Sequence, residues 1–323
     1  MPPTTEAKTY IYKVDSKGCE VAADVYLPNF TGKKAPVLIF FHLGALVFDN
    51  RHNVGEHVFY SATKRGMIVI NADYRLAPQV KIEEIFQDVK DVVEWAKSEL
   101  PQQIGPEKVD TESIVIAGGS SGGYLALLTG LYLDPPPKAI IALYPMADPT
   151  HPNVNTATKP NPPLGRDSLI PFEEVAQYLD EKSVPSSHPS LGLNIKATQF
   201  EGRAKAFSYM AQEGTYLKYV YGEDTPIEEI QRKWVIPHVI ASVNSYPPTL
   251  LIHTRNDRYT PYAQSVDVAE ALQKKGFSHD LWIVEGDYDH GFDSDDVKPG
   301  EEDPFAIEFA NRIWTFVENA LQK

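Results

Sequence analysis

Apolar residues fall in two rhythms along this chain. Residues 8–14 and 20–27 alternate apolar with polar side chains, the period of strands with one wet face, and Ser16-Lys17-Gly18 supplies a turn between them. PVLIFF at 36–41 and GMIVINA at 66–72 are apolar almost without a break. Runs of this length suit strands covered on both faces, as in a parallel sheet. Ile82, Ile85, Phe86, Val89, Val92, Val93, Ala96 and Leu100 recur at helical spacing. They predict an amphipathic helix over 81–100 that Pro101 ends. The pattern then predicts strand 113–117, helix 121–133, strand 138–144, strand 249–253, helix 262–275, strand 280–285 and helix 304–321. Strand and helix alternating in this way predict an α/β fold, a mostly parallel central sheet with helices on both faces.

Residues 149–245 break the alternation. Pro149, Pro152, Pro160, Pro162, Pro163, Pro171, Pro185 and Pro189 crowd their first half. The second half turns helical and aromatic, with Phe200, Phe207, Tyr209, Tyr216, Tyr219 and Tyr221. A linker would lack such large apolar side chains, so the segment reads as an inserted cap on a core formed by 1–148 and 246–323. It follows a strand end, the edge at which such sheets bind ligands. Tyrosines 216, 219 and 221 fit either an aromatic substrate pocket or the packing of the cap itself.

Composition narrows the function without naming it. The 323 residues are 42% hydrophobic, enough for a sizeable core. A net charge of −14 argues against nucleic acid and anionic membrane surfaces as partners. No apolar run approaches a membrane span. Cys19 is the only cysteine, so no intramolecular disulfide forms. The first residues show neither a basic nor an apolar signal region, which with the lone cysteine favours a cytoplasmic protein. His52 and His57 lack the spacing of a zinc helix, and DSDDVKPGEED at 293–303 lacks the calcium-loop positions and reads as a solvated loop. Neither a metal nor an organic cofactor is implied, and a homodimer stays open.

The chemistry concentrates in SIVIAGGSSGGYLALLTG, residues 113–130. Gly-x-Ser-x-Gly fits it twice, centred on Ser120 or on Ser121. No lysine follows as in a phosphate loop. A serine at a strand-turn-helix elbow is lifted above the sheet, and its strained backbone demands small neighbours. The residue after it opens the helix and offers its N–H to an oxyanion. Such a serine needs a base, and the base needs an orienting acid, both later in the chain and just beyond strands. Asp257 follows strand 249–253 and His290 follows strand 280–285. Asp148 is a rival acid; His279 precedes its strand and so belongs to the wrong sheet edge.

FFHLGALVF (40–48), NADYRLAP (71–78), FQDVKDVVEW (86–95), AGGSSGGYLA (117–126), LIHTRND (251–257) and DHGF (289–292) together resemble the α/β-hydrolases of the hormone-sensitive-lipase and carboxylesterase type. The resemblance spans about 250 residues and implies the α/β-hydrolase fold with a cap. The family elbow commonly reads Gly-Asp-Ser-Ala-Gly-Gly-Asn-Leu-Ala. Aligned through Gly122-Gly123-Tyr124-Leu125-Ala126, it makes Ser120 the nucleophile and Ser121 an oxyanion donor. It also implies oxyanion N–H donors at Gly44 and Ala45 and a loop-ordering role for His42. The family usually has His-Gly-Gly-Gly where this chain has His42-Leu43-Gly44-Ala45. Leucine resists a positive φ, so Leu43 predicts a reshaped loop and a narrower acyl side. Asp73, Arg75 and Asp88 read as structural.

These residues predict a serine hydrolase acting on an uncharged ester of small or medium size. An amide, thioester or peptide could be cleaved by the same groups, in the tailoring or release of a biosynthetic intermediate. A third reading is a binding protein that kept the fold and lost catalysis.

Overall fold

The computed structural model describes residues 6–322 apart from 165, 190–192, 195–198 and 296–302. The strands are β1 (Lys8–Val14), β2 (Glu20–Tyr26), β3 (Ala35–Phe41), β4 (Ile68–Ala72), β5 (Val109–Gly119), β6 (Ala139–Leu143), β7 (Thr249–Thr254) and β8 (His279–Val284). They form one sheet in the order β1-β2-β4-β3-β5-β6-β7-β8. β2 runs antiparallel to β1 and to β4; every other neighbouring pair is parallel. The alternating N-terminal strands thus form the antiparallel edge and the unbroken apolar runs the interior.

The interior strands are apolar on both faces because both faces are covered. Val37, Ile39 and Phe41 of β3, with Ile114 and Ile116 of β5, face α2 (Ile82–Ser98), α3 (Ser121–Tyr132) and α7 (Ala263–Lys275). Leu38, Phe40, Val115 and Ala117 face the other way, onto α1 (Glu56–Lys64) and the α8 (Pro304–Leu321) residues Phe309, Ile313, Trp314 and Val317. Each large apolar side chain so covered contributes roughly 1.5–3 kcal/mol. The helix expected over 81–100 ends at Ser98. Pro101 sits in the first turn of a separate short helix, Leu100–Ile104, where its missing N–H costs nothing.

Between β6 and β7 the chain makes its long excursion. It carries α4 (Gly202–Glu213), α5 (Tyr216–Tyr221) and α6 (Ile236–Ile240), a further helix at Ile227–Trp234, several shorter helical turns, and a hairpin of Leu193–Asn194 with Gln199–Phe200. Its parts do different work. α6 packs on α3 and α7, the Ile236 N–H donates to the Ala147 carbonyl, and the Tyr124 hydroxyl donates to the Trp234 carbonyl at 2.9 Å. These later residues flank the core. Val154, Leu164 and Phe207 come instead to the C-terminal edge of the sheet, where they help to line a cavity. No helix among the described residues is long and apolar enough to cross a membrane.

Candidate active site

Parallel strands deliver their following loops to one edge, and the candidate residues arrive there from four of them, β3, β5, β7 and β8. β5 ends at Gly119, and Ser120 takes φ 53° and ψ −117° before α3 begins at Ser121. A non-glycine residue in that region costs about 1–3 kcal/mol and persists only where its surroundings over-determine it. Here the Ser120 N–H donates to the Leu143 carbonyl, and the Ser120 carbonyl accepts from Tyr124 and Met146 N–H. The glycines provide clearance. A Cβ on Gly118 would lie 2.4 Å from the Gly122 backbone, and one on Gly122 only 2.0 Å from the Phe41 carbonyl oxygen. Ser120 opens onto the cavity. Ser121 is fully buried, its Oγ 3.5 Å from the Tyr74 hydroxyl, so the two serines have different surroundings.

Asp257 and His290 come together across β7 and β8. His290 Nδ1 lies 2.7 Å from Asp257 Oδ2, and donation there leaves Nε2 as the acceptor. Asp257 Oδ1 accepts from the Tyr259 and Thr260 N–H groups at 2.8 and 2.7 Å. Burial alone would raise its pKa, but the neighbouring His290 and His253 outweigh it and hold the carboxyl well below the ordinary aspartate value. The two loops are laced together beside this pair by Arg255 with Glu285, by Asn256 with the Gly286 carbonyl, and by Arg258 with Asp289. The rivals go elsewhere. Asp148 accepts from Thr150 within its own turn. His279 opens β8 opposite Thr249, at the far edge.

Three buried groups behind the pair were not singled out from the sequence. His253 Nε2 donates to the Thr260 carbonyl at 2.8 Å and lies 3.2 Å from Asp257 Oδ2, while its Nδ1 meets Ser265 Oγ at 2.7 Å. A histidine inside the apolar strand TLLIHT was the available signal. Tyr144 sets its ring 4.7 Å from that of His290, tilted at 60°, and donates to Asp293, which also pairs with His57 at 3.1 Å. Asp293 is therefore buried, and not part of a solvated loop as the 293–303 reading had it. Residues 296–302 of that stretch lie outside the described residues. Asp303 instead caps α8 by accepting from the Phe305 N–H.

Loop 42–49 carries the remaining candidates. His42 Nδ1 donates to the Leu43 carbonyl at 2.6 Å, and its ring stacks on Tyr74 at 4.2 Å. Burial lowers its pKa to about 4, so it stays neutral. The Tyr74 hydroxyl donates to the His42 carbonyl at 3.0 Å. Arg75 grips Asp88, a fully buried packing partner of its own helix. Leu43 does not take the positive φ that was expected to trouble it. Gly44 (φ 119°), Ala45 (53°), Leu46 (63°) and Asp49 (77°) do. The N–H groups of Gly44 and Ala45 are spent on no other described residue. The Ser121 N–H, in the first turn of α3, has no acceptor within its helix.

Leu43, Gly44, Ala45, Phe48, Ser120, Met146, Asn153, Val154, Leu164, Phe207, Tyr259, Thr260 and His290 surround one mostly apolar cavity of about 50 Å³. None of Tyr216, Tyr219 and Tyr221 lines it. Tyr216 and Tyr221 are buried in packing, and Tyr219 is half-buried. No group of metal-ligating side chains occurs among the described residues.

Comparison with known proteins gives this arrangement its family. A family profile described as the alpha/beta hydrolase fold matches residues 38–217, and one described as the prolyl oligopeptidase family matches 201–315. Among curated proteins, the non-reducing polyketide synthase Preu3 of Preussia isomera is 26% identical over 90% of this chain. The match occupies 13% of that protein, so the chain spans only a small part of the curated relatives it resembles. Among solved structures, a Staphylococcus aureus protein of unknown function aligns over 97% of this chain and 99% of its own at TM-score 0.68 and 17% identity. Esterase B of Lactobacillus rhamnosis, bearing a tributyrin phosphonate, aligns over 100% and 88% at TM-score 0.67 and 18% identity. The chain belongs to the α/β-hydrolase family and has its fold, as the sequence motifs implied.

Proposed function

We propose that the protein is a serine hydrolase that cleaves a neutral ester with a short apolar acyl group. One observation carries the reading: Ser120, strained at its elbow, opens onto the same apolar cavity as His290, which is hydrogen-bonded to a buried, ionised Asp257. Ser120 Oγ attacks the carbonyl while His290 Nε2 takes its proton. Asp257 fixes the tautomer and steadies the imidazolium. The N–H groups of Gly44, Ala45 and Ser121 receive the oxyanion. His290 then protonates the leaving alkoxide, and water repeats the sequence on the acyl-enzyme. A cavity this small and without a charged side chain favours a short uncharged acyl chain. A cytoplasmic setting fits the single cysteine.

A second reading is a thioester or amide as substrate, with the enzyme releasing or tailoring a biosynthetic intermediate. The polyketide synthase relatives favour the thioester, and the prolyl oligopeptidase match favours the amide. p-Nitrophenyl acyl esters assayed beside acyl thioesters and anilides separate the three; a preference of tenfold or more for the ester is expected. Ser120→Ala should abolish labelling by a fluorophosphonate, while Ser121→Ala keeps it. Undiminished labelling of Ser120→Ala refutes the assignment.

A further inference from the structure

Three of the four left-handed residues in loop 42–49 are not glycine, and the loop's own bonds, from the Val47 and Phe48 N–H groups to the Gly44 carbonyl, close only the turn over Ala45 and Leu46. Ala45, Leu46 and Asp49 carry φ of 53°, 63° and 77°, a region that residues with a side chain rarely adopt. The carbonyls of Ala45, Leu46 and Val47 take no part in that turn's bonds and are bound from outside it. The structure shows where these bonds come from. The Leu46 carbonyl accepts from the Ala77 N–H at 2.8 Å, within the core. The carbonyls on either side are taken by side chains from the excursion between β6 and β7. The Tyr216 hydroxyl, from α5, donates to the Ala45 carbonyl at 3.1 Å. Arg203 Nε, from α4, donates to the Val47 carbonyl at 2.6 Å.

Both donors are committed to this task. Tyr216 is fully buried, its ring edge-on to that of Phe207, and its other polar neighbour is the Met146 sulfur at 3.7 Å. Arg203 is buried with neutral acceptors alone among the described residues: the carbonyls of Val47 and Ala77 and the side chain of Gln79. Gln79 in turn donates to the Tyr178 and Asp180 carbonyls. Burial of this cation lowers its pKa to about 10. A buried guanidinium without a carboxylate is costly, so one aimed at loop carbonyls marks a place where backbone geometry has to be held.

We infer that Tyr216 and Arg203 are positioning residues for the oxyanion site, holding the strained Ala45–Val47 backbone so that the Gly44 and Ala45 N–H groups converge above Ser120. The inference rests on the serine-hydrolase reading. It means that the excursion does more than cover the cavity. It completes the polar half of the site, in a chain whose loop has one glycine where the family motif has three.

Tyr216→Phe tests this with the loss of one hydroxyl. Removing an oxyanion donor outright costs about 100- to 1000-fold in kcat. Loosening two donors indirectly should cost roughly 10- to 100-fold, with KM changed less than about threefold, because the loss falls on the transition state. Phosphonylation of Ser120 should slow by the same factor. Tyr246→Phe is the control. Tyr246 is also a buried phenol donating to a backbone carbonyl, that of Leu127, but it lies away from the site. It should lose a similar amount of thermal stability and keep kcat. Arg203→Lys, which keeps the cation but not the fork, should follow Tyr216→Phe and carries the test if that variant does not fold. A Tyr216→Phe enzyme with kcat and phosphonylation rate within twofold of the parent overturns the inference while the hydrolase reading stands. A parent chain that no phosphonate labels at Ser120 overturns both.

Discussion

Residues 117–123 and residues 42–49 both leave a buried parallel strand at the same sheet edge, and both carry positive φ angles. They keep their shape by different means. The elbow has one strained residue, Ser120, between a strand and a helix that begins at once. Its bonding partners are Leu143, Tyr124 and Met146, and its glycines remove the atoms that would collide. The loop has four left-handed residues and one glycine among them; the Gly44 carbonyl is bound within it by Val47 and Phe48, and the carbonyls of Ala45, Leu46 and Val47 are held from residues 216, 77 and 203. A motif whose strain is relieved locally can be read from a dozen residues. A motif whose strain is borne by distant side chains cannot.

The sharpest break in this comparison is Gly122→Ala. A methyl group there meets the Phe41 and His42 carbonyl oxygens at 2.0 and 2.6 Å, backbone atoms that cannot swing away. We expect a loss of at least about 3 kcal/mol of stability, or no soluble folded chain, by urea unfolding. Near-parental stability would mean that the elbow has slack the glycines do not explain.

Asp49 probes the loop through its pH dependence. Burial raises its carboxyl pKa to about 7, against the hydrogen bonds from Asn53 and Asn50. The fold therefore favours the protonated form more than the unfolded chain does. The sign follows: stability falls as pH rises from about 4, the unfolded value, to about 7, and is flat above. Asp49→Asn cannot titrate, so its stability relative to the parent should grow across that window by up to about 4 kcal/mol and then level off. Unfolding at pH 4.5, 6 and 8 reads it directly; parallel curves would refute it. Asp257 has the opposite sign: its depressed pKa gives a contribution that is complete above the unfolded value of about 4 and is lost as pH falls below it.

Leu43→Ala should have the mildest consequence. Leu43 borders the cavity without carrying strain. Truncation should shift preference toward longer acyl chains by roughly tenfold in relative kcat/KM, since one to a few methylenes in an apolar pocket are worth 1–3 kcal/mol. An unchanged chain-length profile would place the acyl group elsewhere.

Local rhythm was enough for the sheet. Unbroken apolar runs at 36–41 and 66–72 became interior parallel strands, and the predicted α8 agrees with the helix observed at Pro304–Leu321. Asp257 and His290 were legible because each lies just past a strand of a parallel sheet, and the structure brings them within 2.7 Å. What was not legible has a common cause. Tyr216 looked like pocket lining or packing, and Arg203 like any helix arginine. Asp293 looked like part of an acidic surface loop. Their partners lie 171, 156 and 149 residues away in Ala45, Val47 and Tyr144.

By itself, then, the sequence determined the layering, the sheet edge and the order of serine, acid and histidine, because hydrophobic period and strand-end position are local properties. Only the tertiary structure decided how the excursion divides between core flank and site, that His253 lies under Asp257, and which carbonyls of the 44–49 loop are held from outside. The bonds from the excursion to the loop cross well over a hundred residues, and their donors look ordinary until the fold gives each a partner.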